Sequence, residues 1–168
     1  MTIKNNRGFT LIEILVVIGL IALLAATVIV AVNPARQFAQ GRNSQRISNV
    51  NAILNAIGQN IADNRGIFTC NGAAYELAEA ASGSAAEIKK DQAGGDIRPC
   101  IVPAYISEIP LDPAGGTNTC GDENCDPGDY NTGYTVSLDD NGRITVCAPN
   151  AATETAISAS EEPLCATR

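Results

Sequence analysis

The feature that most constrains this chain is a run of 24 residues, 9–32, that is almost wholly apolar and carries one charge, Glu13. Leu, Ile, Val and Ala dominate the run, so it favours a helix. A helix of this length reaches roughly 36 Å, which is enough to cross the hydrocarbon core of a bilayer. Because Lys4 and Arg7 precede the run, we expect the N-terminal side to stay in the cytoplasm and the remainder to face outward.

Three interpretations of this run compete. An ordinary secretory signal has a shorter apolar stretch that ends at a small-residue cleavage site, and no clear site of that kind follows here. A plain membrane anchor has no use for a carboxylate, whose insertion at the centre of a span costs about 2.5–3.5 kcal/mol. The third interpretation is an export signal in which Glu13 has a function of its own, and it accounts for every feature of the segment.

The segment Arg7-Gly8-Phe9-Thr10-Leu11-Ile12-Glu13 resembles the class III signal of type IV prepilins. That family has a short basic leader ending in Gly, then Phe, then apolar residues with Glu at the fifth mature position. The resemblance implies that a prepilin peptidase cuts between Gly8 and Phe9 and methylates the new amine of Phe9. It also implies that residues 9–32 stay on the mature protein, first in the membrane and then in the core of a filament, with Phe9 and Glu13 serving assembly.

Residues 33–65 continue the predicted helix with a more polar character. Asn33-Pro34 predicts a kink or local melting, because proline lacks the amide hydrogen and clashes with the preceding turn. Gly66 predicts a helix cap, so one helix is expected from residue 9 to residue 63. Apolar residues at spacings of three and four predict one face packed on a head domain; they are Ile47, Val50, Ile53, Leu54, Ile57 and Ile61.

The charges are segregated along the chain. Residues 33–62, which we call the stem, carry Arg36, Arg42 and Arg46 and no acid, although the net charge of the whole chain is −7. One hypothesis is that the basic stem of one subunit guides the acidic head of another. The alternative is an acidic solvated surface. An acidic chain is not expected to bind nucleic acid through a positive field.

Residues 66–168 form the predicted head. Residues 75–81 and 84–92 weakly favour short helices, and residues 104–109 favour a helical turn between two prolines. Residues 132–148 alternate like two strands around an Asn-Gly turn, which predicts a hairpin. The expected fold is therefore α+β, with a long N-terminal helix packed on a small antiparallel sheet, as the resemblance to pilins also implies.

Six cysteines, all in the head, predict disulfides in an oxidising compartment. Six cysteines allow 15 connectivities. We expect Cys147–Cys165 to tie down the C-terminal tail, and Cys70–Cys100 and Cys120–Cys125 to complete the set.

An acidic loop places side-chain oxygens at Asp122, Asn124, Asp126 and Asp129. Alternating Asp and Asn in a loop that contains glycine is how calcium loops collect oxygen ligands, with Asp112 a further candidate. Major pseudopilins, which this chain resembles, bind calcium in a C-terminal loop. The loop departs from an EF-hand, because no suitably placed Glu closes it. A calcium site and a solvated acidic loop held by cysteines both stay open.

The expected function is that of a structural filament subunit and not an enzyme. No nucleophile elbow, Walker loop or zinc-protease motif occurs, and histidine is absent. The expected partners are further copies of the chain, prepilin peptidase, an inner-membrane assembly platform and the membrane before assembly. The expected location is the inner membrane and then a periplasmic or cell-surface filament. A type II secretion pseudopilin and a minor pilin for adhesion or DNA uptake are the alternatives.

For the acidic loop, we predict that millimolar calcium raises the melting temperature of residues 35–168, because binding to the folded state alone stabilises it. Asp126→Ala should remove most of the increase. An unchanged melting temperature in calcium and in chelator would leave the loop as ordinary surface.

Overall fold

The computed structural model describes residues 8–79, 85–119, 129–154, 156 and 163–168. The chain divides into an N-terminal unit that ends at Phe38 and a second unit, Ala39–Arg168. Each unit is described by itself.

The first helix, α1, spans Leu11–Val32, and every side chain described in it is exposed. One stretch of the described chain, Leu11–Ile29, is long and apolar enough to cross a membrane by length and composition. The helix stops at Asn33, whose φ of 44° is left-handed. The expected interruption at Asn33-Pro34 is therefore a complete break between two helices, because Pro34 suits the first position of a new helix.

The second helix, α2, spans Pro34–Asp63, and its buried face lies in the second unit. Of the predicted apolar stripe, Val50, Ile53, Leu54 and Ile57 are buried, Ile61 is half-buried, and Ile47 is 49% exposed. Gly66 ends the helix as expected, since its amide donates to the Ile61 carbonyl at 2.8 Å. The residue before it, Arg65, is also left-handed, so the pattern is that of a Schellman motif.

The described residues of the head form two antiparallel sheets and a short helix. A ribbon of β1 (Thr69–Cys70) and β2 (Ala73–Ala74) follows α2. The later elements, in chain order, are β3 (Ala86–Lys89), α3 (Arg98–Ile101), β4 (Thr117–Thr119), β5 (Asp129–Leu138), β6 (Ile144–Ala148), a 3₁₀ turn (Pro149–Ala151) and β7 (Leu164–Thr167). The main sheet has the order β3-β5-β6-β7, and β4 also pairs with β5.

The predicted hairpin is confirmed. Strands β5 and β6 pair from Thr135 with Cys147 to Leu138 with Ile144, and the turn contains Gly142 at a φ of 78°. Buried and half-buried positions alternate along both strands, as expected when one face of a sheet meets a core. The alternation explains why this part of the head could be predicted from local sequence.

Three short helices were predicted, and their described residues do not form them. Residues 75–78 form no helix, and 86–89 form strand β3 with alternate residues Ala86 and Ile88 buried. Residues 80–84 of these predictions lie outside the described residues. Helix propensity is a weak preference that pairing with β5 overrides here. The helical turn expected at 104–109 is also displaced, because α3 ends at Ile101.

Two disulfides hold the described part of the head. Cys70 is bonded to Cys100 and Cys147 to Cys165, which are two of the expected pairings. Cys147 and Cys165 face each other across β6 and β7, so the tail is joined to the sheet both by the ladder and covalently. The expected pair Cys120–Cys125 lies outside the described residues.

Asn60 is a buried polar residue of α2 that joins the helix to two other segments. Its side-chain amide donates to the carbonyls of Thr69 (2.9 Å) and Cys100 (3.0 Å), and its oxygen accepts from the Thr69 amide at 2.9 Å. The side chain thereby satisfies backbone groups on both sides of the Cys70–Cys100 bond.

We predict that Asn60→Ala lowers the free energy of unfolding by about 2–3 kcal/mol, because it removes the side-chain partner of three backbone groups. The exposed neighbour Gln59 is the matched control, and Gln59→Ala should change the same quantity by less than about 0.5 kcal/mol. Denaturant unfolding of the two variants measures both values, and equal losses would contradict the assigned role.

Candidate processing and assembly site

The predicted cleavage point lies just ahead of α1. Gly8, Phe9 and Thr10 have no regular secondary structure, and Phe9 is 83% exposed. No atom outside its chain neighbours lies within 4 Å of where a Gly8 side chain would begin. The Gly8–Phe9 bond is therefore accessible, as a protease substrate requires.

Glu13 forms a capping box with Thr10 at the start of α1. The amide and hydroxyl of Thr10 donate to Glu13 Oε2 at 3.1 and 3.0 Å, and the Glu13 amide donates to Thr10 Oγ1 at 3.3 Å. These bonds satisfy backbone donors that the first helical turn leaves unpaired. The spacing Thr-x-x-Glu before an apolar run is the recognised sequence signal for this cap, so local sequence alone could have revealed it.

The rest of α1 offers an apolar surface with no partner in the described chain. Large side chains such as Leu11, Leu23 and Ile29 are each more than 60% exposed. Burying such surface in lipid or against other helices is strongly favourable. An accessible Gly8–Phe9 bond, one carboxylate and this apolar surface thus lie together within residues 8–32.

A cluster of charged side chains joins helix α2 to the head. It consists of Arg42, Arg46, Asp112 and Glu154, and we call it the Arg46 cluster. Arg46 Nε donates to Asp112 Oδ2 at 2.6 Å, and Arg46 Nη1 donates to Glu154 Oε1 at 2.7 Å. Arg42 Nε donates to the same Glu154 oxygen at 2.7 Å. The side chains of Arg46 and Asp112 are 0% exposed, so this ion pair is fully removed from water.

The acids of the Arg46 cluster are held ionised. Hydrogen bonds from Arg42 and then Arg46 lower the pKa of Glu154 to about 2. Burial by itself raises the pKa of Asp112, but hydrogen bonds from Arg46 and the Ala114 amide outweigh it and keep this pKa below its usual value. The Asp112 carboxylate also accepts from the Gly115 amide, so this candidate calcium ligand is occupied by contacts within the head.

The Arg46 cluster also changes the interpretation of the segregated charges. Arg42 and Arg46 of the stem pair with carboxylates of their own chain. Arg36 forms no ion pair with any residue that the structure describes. The hypothesis that stem arginines guide a neighbouring head stays a prediction, and Arg42 and Arg46 already have partners within the chain.

The segment around Asp112 packs against strand β5. The Asp112 amide donates to the Thr132 carbonyl at 2.8 Å. A Cβ on Gly133 would lie 2.8 Å from the Asp112 Cβ, and Gly133 has a φ of 76°. Only glycine suits position 133 without strain, because a side chain there would clash with Asp112.

Most of the predicted calcium ligands lie where the structure gives no description. Asp122, Asn124 and Asp126 lie outside the described residues, and Asp129 begins β5. Within the described ranges, no group of three or more Cys, Asp or Glu side chains could hold a metal ion. Calcium binding therefore stays a prediction.

Comparison with known families bears on the N-terminal segment. Residues 3–29 match the family described as Prokaryotic N-terminal methylation motif. This segment is the class III signal peptide of type IV pilins and pseudopilins. The motif indicates that the chain is a type IV pilin-like substrate of prepilin peptidase.

Comparisons with curated proteins and with solved structures found no match. The pilin-like arrangement therefore rests on the chain's own structure, in which a long apolar N-terminal helix precedes a second helix and an antiparallel sheet. The apolar helix and the motif together fit an inner-membrane precursor.

We predict that Arg46→Met lowers the free energy of unfolding by about 3–5 kcal/mol, because it leaves the buried Asp112 carboxylate without its cation and Glu154 with Arg42 alone. Arg36→Met is the control, since Arg36 is exposed and in no described ion pair; its effect should be below about 0.5 kcal/mol. Denaturant unfolding in detergent gives both values. A loss of less than about 1 kcal/mol, on the order of an exposed pair, would contradict the burial of Arg46.

We predict that Glu154 makes the head less stable in acid. Its pKa is about 2 when folded and near 4.5 when unfolded, so the unfolded state binds its proton first as pH falls. The contribution is complete above about pH 5.5 and is lost between about pH 4.5 and pH 2, on the order of 3 kcal/mol at most. Melting temperatures across this range should fall more steeply for the unmodified chain than for Glu154→Gln, and parallel curves would exclude this role.

Proposed function

We propose that the chain is a structural subunit of a type IV pilus-like filament. Prepilin peptidase removes residues 1–8 and methylates the amine of Phe9, and the mature protein assembles through α1. The observation that carries the proposal is the exposed apolar surface of α1 immediately after an accessible class III cleavage point. Membrane lipid covers this surface before assembly, and neighbouring α1 helices cover it afterwards.

Glu13 supplies the register that apolar contacts lack. Leu, Ile and Val surfaces tolerate sliding, whereas a carboxylate in an apolar surrounding requires a partner. Cleavage creates a cation, the amine of Phe9, four residues away. We infer that the amine of an incoming subunit pairs with Glu13 of a docked subunit, which cancels two charges and sets the axial position.

The same chemistry serves a type II secretion pseudopilin. That alternative is favoured by Ile109-Pro110-Leu111-Asp112-Pro113 and Gly133-Tyr134, which resemble the pseudopilin segment before the sheet. Asp112 lies against Thr132 and Gly133 in this head. In that case the filament is periplasmic, and in a pilus it is on the cell surface. Both alternatives use an inner-membrane assembly platform and further copies of the chain.

We predict that Glu13→Val still enters the membrane and is still cleaved after Gly8, yet loses most of its filament yield because the incoming amine has no partner. Membrane-fraction level, intact mass and the amount of sheared filament measure the three steps. Intact mass also checks that the mature chain of the unmodified protein starts at a methylated Phe9.

The matched control is Thr10→Val, which removes the hydroxyl of the capping box and keeps the carboxylate. Equal filament loss in both variants would assign Glu13 a capping role only. Normal filament yield from Glu13→Val would exclude the register role, and a filament that retains residues 1–8 would exclude the processing step.

A further inference from the structure

The first turn of α2 is a short segment between the apolar helix and the head, and we call residues 34–38 the collar. The collar belongs to the same unit as α1, and the second unit begins at Ala39, which is 0% exposed. All five collar side chains are exposed, and none of them contributes to the described core of the head. The function proposed above does not use them.

Two collar residues have the chemistry of a boundary between membrane and water. Phe38 is a large aromatic side chain that is 69% exposed. Arg36 is exposed and forms no ion pair with any described residue, whereas Arg42 and Arg46 are bound to Glu154. Aromatic rings partition into the headgroup boundary of a bilayer, and the guanidinium of arginine binds the phosphates there.

The position of the collar along the chain matches the depth of the headgroup layer. Helix α1, whose apolar stretch is long enough to cross a bilayer, ends at Val32. Arg36 and Phe38 follow four and six residues later, which is roughly 6 and 9 Å of helix. The headgroup layer is roughly 5–7 Å thick on each side. Helical side chains lean towards the N-terminus of their helix, so both lean back towards the end of α2 that α1 joins.

The two residues point to different sides of the helix, because a separation of two positions is a rotation of roughly 200°. A pocket on another protein meets only one side of a helix. A lipid layer instead surrounds the helix and meets every side at the same depth. The described side chains of α1 are likewise exposed on every side, so lipid around the collar continues the lipid around the apolar helix.

We propose that the collar binds phospholipid headgroups before assembly, with the Arg36 guanidinium on lipid phosphates and the Phe38 ring at the top of the acyl chains. Anionic phospholipids are preferred over zwitterionic ones, because their net negative charge attracts the arginine. This contact sets the depth of the subunit in the membrane, and its lipids leave when the subunit enters a filament. The proposal rests on the membrane-inserted precursor of the proposed function and adds a lipid-binding segment beyond α1.

The chain contains no tryptophan, which allows a direct measurement of depth. Phe38→Trp gives the full-length chain a single tryptophan, and the protein is inserted into vesicles of phosphatidylcholine and phosphatidylglycerol. Lipids brominated at a shallow or at a deep acyl carbon quench a nearby indole ring. We expect Trp fluorescence at position 38 to be quenched strongly by the shallow bromines and weakly by the deep ones.

Two further single-tryptophan variants calibrate the measurement. Leu20→Trp lies near the middle of α1 and is 59% exposed, so the deep bromines should quench it more strongly than the shallow ones. Ile47→Trp lies nine residues beyond Phe38 in α2 and is 49% exposed, so neither lipid should quench it. Intact mass confirms the head disulfides in each variant.

A second measurement tests Arg36. Energy transfer from the tryptophan at position 38 to a pyrene-labelled acyl chain acts across the width of a helix, so it reports lipid on every side. With the same label on phosphatidylglycerol or on phosphatidylcholine, we expect a preference of up to about fivefold for the anionic lipid, the size expected of one arginine. Arg36→Gln should abolish the preference. Arg65→Gln is the matched control and should keep it, because Arg65 is exposed at the other end of α2.

A tryptophan at position 38 that neither brominated lipid quenches, or that the deep bromines quench more strongly, would overturn the proposal. So would a lipid preference that Arg36→Gln leaves unchanged. Emission that follows the protein-to-lipid ratio and not the brominated lipid would show that a second copy covers Phe38. Those outcomes leave the filament function intact, because it fails separately, when the unmodified chain yields no filament or when Glu13→Val assembles normally.

Discussion

The head depends on one buried cation. Arg46 lies with its side chain fully removed from water, and it binds Asp112 from the loop before β4 and Glu154 from the segment after the 3₁₀ turn. These acids lie 66 and 108 residues further along the chain. Removing Arg46 leaves the Asp112 carboxylate uncompensated in a low-dielectric interior and leaves Glu154 with Arg42 alone. The cation thereby fixes two loops on one helix.

Apolar surface is used in two different ways along the chain. The large apolar side chains described in α1 are exposed and have no partner among the described residues. The second half of α2 instead buries Val50, Ile53 and Ile57 in a core that it shares with Tyr134 and Val146 of the sheet. A chain with only the first kind of helix could anchor but not display a folded head. The break at Asn33 separates the two helices that have these tasks.

The polar contacts of the head explain how a core with little aromatic content is held in one arrangement. Asn60 bonds to both sides of the Cys70–Cys100 disulfide, and Asn49 donates to the Tyr134 hydroxyl at 2.9 Å. Both asparagines lie on α2, and they reach different segments of the head. Such bonds are directional, so they specify which loop lies against which helical turn, whereas the apolar contacts supply most of the energy.

The sequence by itself determined the class III signal, the apolar helix and the hairpin of β5 and β6, and it predicted disulfides without fixing their pairing. These features are local or periodic: a motif of seven residues, a run with a single charge, an alternation around Asn-Gly, and an even set of cysteines. Only the tertiary structure decided that Arg46 is buried, that residues 86–89 form a strand, and that Asp112 binds an arginine of the stem. The reason is that no strong local preference fixes whether a charged residue is buried or whether a short segment such as 86–89 forms a strand. The partners of these residues lie tens of residues away, and their contacts exist only once the chain has folded.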